Sequence, residues 1–261
     1  MTDLKLPALS PNTKITQDFS TTQIEVLYSR PSIRGRKIFG DVVPYGKIWR
    51  TGANAVTRIK TSEDLEIAGH EVKAGEYALY TIPGEHSWEV ILNTGIGNWG
   101  TGGYSHEGDV ARFNVTPQQA AHPYKVFTID ITDITFNTCS IELMWENVKI
   151  VIPVHAHNEA HINENVDRVF NDDKAPYYQI ATYYLEKNQH TDRAKAAIDK
   201  ALALQPTAFY MWHTKAKIEK LLGSKYEAIA AANRSTTLAA GTPYEEAYKR
   251  QNELLIADLD S

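Results

Sequence analysis

Apolar residues alternate with polar ones at a period of two through much of the first 155 residues. In Thr22–Tyr28 the apolar positions are Ile24, Val26 and Tyr28, and in Val126–Ile131 they are Phe127, Ile129 and Ile131. That period sends successive side chains to opposite faces of a strand, one face towards a core and the other towards water. Cys139, Ile141, Leu143 and Trp145 keep the rule on odd positions, and Val148, Ile150, Ile152 and Val154 keep it on even ones. A change of parity across Glu146-Asn147 reads as a two-residue hairpin turn. Further strands are expected over Val56–Ser62, Leu65–Ile67, Glu76–Ile82, Trp88–Asn93 and Val110–Val115. Nine or ten short strands with turns between them point to an antiparallel sandwich or barrel.

The rest of the chain has a different character. Thirteen of the 15 glycines and eight of the 11 prolines precede residue 156, whereas 19 of the 28 alanines lie at or beyond it. Glycine and proline punctuate strands, and alanine is the strongest helix former, so a β domain over 1–155 is followed by an α domain over 156–261. Tyr178 and Trp212 are 34 residues apart, as are Ala194 and Ala228. That is the tetratricopeptide period, with aromatic and small residues where two antiparallel helices meet. Ile198, Ala201, Leu202 and Pro206 complete a first unit, and Gly223 marks the turn of a second. Glu219 at an apolar position and Ala240 in place of the closing proline depart from the pattern. A final helix carries Tyr244, Tyr248, Gln251, Leu255 and Leu259. A plain helical bundle is the alternative reading.

Composition excludes several classes of function. The net charge of −5, spread over both halves, does not suit a nucleic-acid binder. No apolar run approaches the ~20 residues of a membrane-spanning helix. One cysteine, Cys139, rules out an intramolecular disulfide and cysteine-based metal centres, and its apolar strand face marks it as an unreactive core residue. No Gly-x-Ser-x-Gly occurs, and Glu76, Glu85 and Glu89 form no recognisable acid–base pair. The opening MTDLKLPALSP lacks a basic region followed by an apolar stretch, which reads as cytoplasmic.

Residues 28–57, YSRPSIRGRKIFGDVVPYGKIWRTGANAVT, stand out. From Arg30 to Lys60 there are eight basic residues and one acid, Asp41, interleaved with Phe39, Tyr45 and Trp49. Such a segment attracts anions, and arginine held against aromatic rings offers a planar fork to carboxylates or phosphates. With SPNTKITQ, AGEYALYTIPGEHSWEVILN, NWGTGGY, DVARFNV and IELMWENVKIVIPV, it resembles the bacterial domain-of-unknown-function family 2911 over about residues 10–154. The resemblance implies no defined activity. It does imply an export signal in many members, and hence a periplasmic or secreted location, and in some members a continuation into helical repeats.

Arg30, Arg36, Arg50 and Asn54 are either a ligand site, with the arginines clamping an anion and Asn54 orienting it, or struts for unpaired loop carbonyls. Trp99 and Tyr104, in the glycine-rich stretch Asn98–Tyr104, either present rings for stacking or close one end of the core. Asp109 and Arg112 fit an ion pair at a strand entrance. His155, His157, Glu159 and His161 have the composition of a zinc set. A helix capped by Asn158 would divide them, so neither a metal centre nor a cofactor is expected.

The expected architecture is an antiparallel β-sandwich or jelly-roll-like domain followed by a tetratricopeptide-like α domain. The expected function is non-catalytic binding of a small anionic, peptide or glycan ligand at Arg30, Arg36, Arg50, Asn54, Trp99 and Tyr104. Two alternatives are a hydrolase using the same pocket, and a scaffold docking a protein partner through Gln179, Tyr183, His213, Lys217 and Lys220. No nucleic-acid partner is expected.

Overall fold

The computed structural model describes residues 6–260. The first five residues of the segment read for an export signal lie outside the described part. The chain divides into two compact units, one ending at Asn158 and one starting at Glu159.

The first unit holds ten strands among the described residues: β1 (Asn12–Phe19), β2 (Thr22–Ser29), β3 (Thr57–Thr61), β4 (Leu65–Ile67), β5 (His70–Val72), β6 (Gly75–Ile82), β7 (Trp88–Asn93), β8 (Asp109–Val115), β9 (Gln118–Thr132) and β10 (Thr138–His155). They form two antiparallel sheets, one of six strands ordered β1-β2-β3-β6-β7-β8 and one of four ordered β5-β4-β10-β9. One apolar cluster draws on both sheets, taking Ile24, Val26 and Tyr28 from β2 and Phe127, Ile129 and Ile131 from β9. The period-two residues are thus the ones that face inward. Trp49 and Trp145 stack at its centre with ring centroids 5.8 Å apart, and Phe39, Trp88 and Phe127 meet them edge-on or tilted. Aromatic side chains bury more area per residue than any others, so this cluster dominates the core. Cys139 is part of the same core, and burial pushes its thiol up to about 11.

The hairpin expected at Glu146-Asn147 does not form. Strand β10 runs on from Thr138 to His155, and its pairing with β9 shifts register on both sides of Glu146. Glu146 has φ of 51°, in the left-handed region. An extra residue in one strand inverts the inside–outside parity just as a two-residue turn does, so the pattern alone does not separate the two. The bulge has a clear role. It aims the Glu146 carboxylate at the loop after β2, where it accepts from the backbone N–H groups of Ile38 (3.0 Å) and Phe39 (3.3 Å).

The second unit contains six helices among the described residues: α1 (Glu159–Val169), α2 (Tyr177–Lys187), α3 (Thr191–Leu204), α4 (Phe209–Leu221), α5 (Lys225–Ala239) and α6 (Glu245–Asp260). Helix α2 packs on α3, and α4 on α5. Ala194, Ala197 and Ala201 of α3, and Ala228, Ala231 and Ala232 of α5, are buried where the backbones approach. Glu219, the acid at an apolar position, is 1% exposed and paired with Lys195. No helix among the described residues is long and apolar enough to cross a membrane.

Candidate ligand-binding site

Between Ser29 and Thr57 the chain crosses the β unit without regular strand pairing, so its carbonyls need side-chain donors. Two of the anticipated arginines meet that need. Arg30 donates from Nε to the Phe127 carbonyl (3.1 Å) and from Nη2 to the Thr128 hydroxyl (2.7 Å). Arg36 donates to the carbonyls of Ile33 (3.1 Å) and Ser32 (2.9 Å). Asn54, at φ of 60°, donates to the Ser10 carbonyl and the Ser29 hydroxyl, both at 3.3 Å. These three side chains hold the loops in place.

Arg50 differs. Its Nε is buried and has no hydrogen-bond partner among the described residues. Burial lowers its pKa, with no carboxylate opposing the shift. The backbone around it is fixed from both sides. Thr57 donates to the Arg50 carbonyl (3.2 Å), and Trp49 pairs with Thr81 of β6 through bonds of 2.7 and 2.9 Å. Trp49 itself is anchored in the core, where its indole donates to the Gly52 carbonyl at 3.0 Å.

A second loop lies alongside. Gly100 donates to the Asn54 carbonyl (3.1 Å) and Val56 to the Asn98 carbonyl (3.1 Å), so residues 54–56 and 98–100 run as a short antiparallel pair with Trp99 opposite Ala55. A Cβ on Gly100 would stand 3.6 Å from Arg50 Nη1, and its φ of 76° also suits glycine. Trp99 is 74% exposed rather than closing the core. Arg50, Asn54 and Trp99 therefore come together from two loops. A recess of about 100 Å³ opens beside Ala55 and Val56, bounded also by Asn12, Ser29 and Arg58, while Arg50 and Asn54 lie outside its lining.

Tyr104 belongs to a different arrangement. Its ring packs edge-on against Tyr80 at 5.2 Å, and its hydroxyl donates to Asp109 at 2.9 Å. Asp109 also accepts from Asn93 (2.8 Å), Arg112 (2.9 Å) and His106 Nδ1 (2.6 Å), and Arg112 reaches on to Glu89 at 2.6 Å. Burial raises the Asp109 carboxyl, but the donors Asn93, His106, Arg112 and Tyr104 outweigh it and hold the group below the ordinary carboxylate range. The Asp109–Arg112 pair is present, and Asn93 and His106 join it from positions that sequence spacing did not single out.

The histidine cluster divides. Glu159 and His161 lie on α1, whereas His155 ends β10 directly opposite Glu66 of β4. Glu66, His155 and His157 each offer a ligand atom within 4.8 Å of the others. Glu66, 89 residues before His155, carried no sequence signal; strand pairing alone brings it there.

A family described as a protein of unknown function (DUF2911) matches residues 10–154. No curated protein and no solved structure was found to match the chain. The match spans more than half of the sequence, and the chain belongs to that family.

Proposed function

We propose that the β unit of this family member is a non-catalytic binding module for a small ligand bearing a carboxylate or phosphate. In this reading Arg50 takes the anionic group, Asn54 and the 98–100 loop border it, and Trp99 offers a face for the rest of the ligand. The observation that supports it is the Arg50 guanidinium, half-buried with a buried Nε that none of the described residues satisfies. A buried polar donor left unpaired costs about 1–3 kcal/mol, a cost that a bound anion or a water would remove. Recognition of the anion through one charged fork, with the remainder on an open aromatic face, needs no enclosing pocket.

The test is a panel of phosphorylated and carboxylated metabolites screened by thermal shift, followed by calorimetry on any compound that stabilises the protein. Binding should weaken tenfold or more in Arg50→Ala, the equivalent of about 1.5–3 kcal/mol for a charged hydrogen bond, and less in Trp99→Ala. If no anionic compound distinguishes wild type from Arg50→Ala, the reading is wrong.

The hydrolase reading needs carboxylates converging on the same arginine and aromatic pocket, and the one bonded to Tyr104 is Asp109. Asp109 is, however, occupied by four side chains, an arrangement suited to holding a loop. The scaffold reading has one observation in its favour. We read α2–α5 as two tetratricopeptide-like hairpins, and a groove of about 730 Å³ is lined by Leu185, His213, Lys217, Lys220 and Leu254. Three of these are positions expected on the concave face. Leu254→Asp should abolish association of a helical peptide with this groove and leave Arg50-dependent binding unchanged.

A further inference from the structure

We propose that Glu66, His155 and His157 form a three-ligand site for a zinc-class divalent cation on the solvent-facing side of the four-stranded sheet. Glu66 and His155 are cross-strand partners in the β4–β10 pairing, so their side chains stand side by side on one face. Their neighbours Ile67 and Val154 are buried, which sends Glu66 and His155 outward. His157 follows His155 by two residues and returns to the same place. Its ring centroid lies 4.1 Å from that of His155, and its Nε2 is 2.9 Å from Glu66 Oε2.

Two imidazoles and a carboxylate are a donor set that zinc takes in sites with an open fourth position. Hard cations such as magnesium and calcium favour oxygen ligands, so the two nitrogens select against them. The ligand atoms lie within 4.8 Å of one another. Tetrahedral zinc at ~2.1 Å from each would bring them to about 3.4 Å, a movement that rotation of an exposed side chain provides. His157 has that freedom, with 58% of its side chain exposed.

Two further features support the site. Asn137 Nδ2 lies 2.8 Å from His155 Nε2; with the Asn137 amide turned to present its oxygen, Nε2–H donates to it, as a metal-bound histidine donates to its outer partner, and Nδ1 is left to ligate. A recess of about 250 Å³ opens against Glu66 and His155, bounded by Asp133, Ser140 and Gly69, so the fourth position faces space that a water or a small anion can enter. The sequence cluster contributes His155 and His157 only. Glu66 takes the part that Glu159 would have played.

The experiment is titration of the chelator-treated full chain with zinc chloride by calorimetry, with cobalt(II) absorption as a second readout of coordination. One zinc per chain is expected. Glu66→Gln, His155→Ala and His157→Ala should each weaken binding tenfold or more, and Asn137→Ala severalfold. His161→Ala and Glu159→Gln should bind as wild type. Melting curves in metal-free buffer identify any variant that has lost its fold. Glu66→Gln, a half-exposed and nearly isosteric change, keeps the test decisive in that case. Unchanged zinc affinity in Glu66→Gln, or a loss in His161→Ala equal to that in His157→Ala, would overturn the site, as would absence of zinc uptake by the wild-type chain.

Discussion

Asp109 and Arg50 are both partly buried charges in the β unit, and the fold treats them in opposite ways. Asp109 is met by Asn93, Tyr104, His106 and Arg112, so each of its oxygens accepts at least one hydrogen bond. Arg50 has a buried Nε that none of the described residues meets. Desolvating a charge is costly in either place. At Asp109 the protein supplies the compensation and obtains a rigid β7–β8 connection. At Arg50 it leaves the compensation open. A charge with all of its bonds made is part of the scaffold, and the proposed binding role rests on the one with a bond to spare.

The comparison breaks most readily at Asp109. Asp109→Ala leaves the Arg112, Tyr104 and Asn93 donors without their acceptor and should lower stability by about 3 kcal/mol in urea unfolding. Asp109→Asn keeps the shape and should cost less. The pH dependence has a defined sign. A carboxyl whose folded pKa is depressed contributes stability above its unfolded value and loses that contribution as the pH falls through the folded value. Wild type should therefore lose stability more steeply than Asp109→Asn as pH drops below about 4. Parallel curves for the two proteins would mean that the network does not stabilise the fold.

Glu146 extends the same contrast to the other sheet, because its carboxylate is also committed to the fold. Glu146→Ala removes the acceptor for two backbone N–H groups of the basic loop and should cost about 1–3 kcal/mol. Amide exchange at Ile38 and Phe39 should accelerate. If exchange there is unchanged, the bulge does not hold the loop that leads to Arg50.

What could be read from the sequence follows from how each feature is encoded. Inward-facing residues such as Ile24, Val26, Phe127 and Ile129 announce themselves because burial imposes a local period. Strand β1 does not, since only Phe19 at its end is buried and the strand lies at the sheet edge. Strand β5 has three residues, too few for any period to register. The bulge at Glu146 and a hairpin turn share one parity signature, and only the long-range pairing with β9 separates them. The candidate site shows the same division. Arg50, Asn54 and Trp99 are conspicuous by residue type, but which arginine holds loop carbonyls and which is left open depends on contacts with Phe127 and Thr128, far along the chain. Glu66 beside His155 is likewise a product of register.

Arg50 should show the smallest effect on stability, and its sign decides the most. A side chain that held the loops would cost several kcal/mol when truncated, as breaking a buried network does. The Arg50 guanidinium is desolvated without compensation, so removing its charge relieves a penalty while the loss of its stem forfeits some packing. Arg50→Met keeps most of the stem, and its stability should lie between no change and a gain of about 1 kcal/mol. Arg50→Ala should stay within about 0.5 kcal/mol of wild type. Any anion that binds only the folded state raises the melting midpoint with concentration as RT ln(1 + [L]/Kd), so inorganic phosphate should stabilise wild type and leave Arg50→Met unmoved. A fall of several kcal/mol in Arg50→Met would place Arg50 with Asp109 among the groups that the fold has already satisfied. Equal stabilisation of both proteins by phosphate would move the anion site away from Arg50.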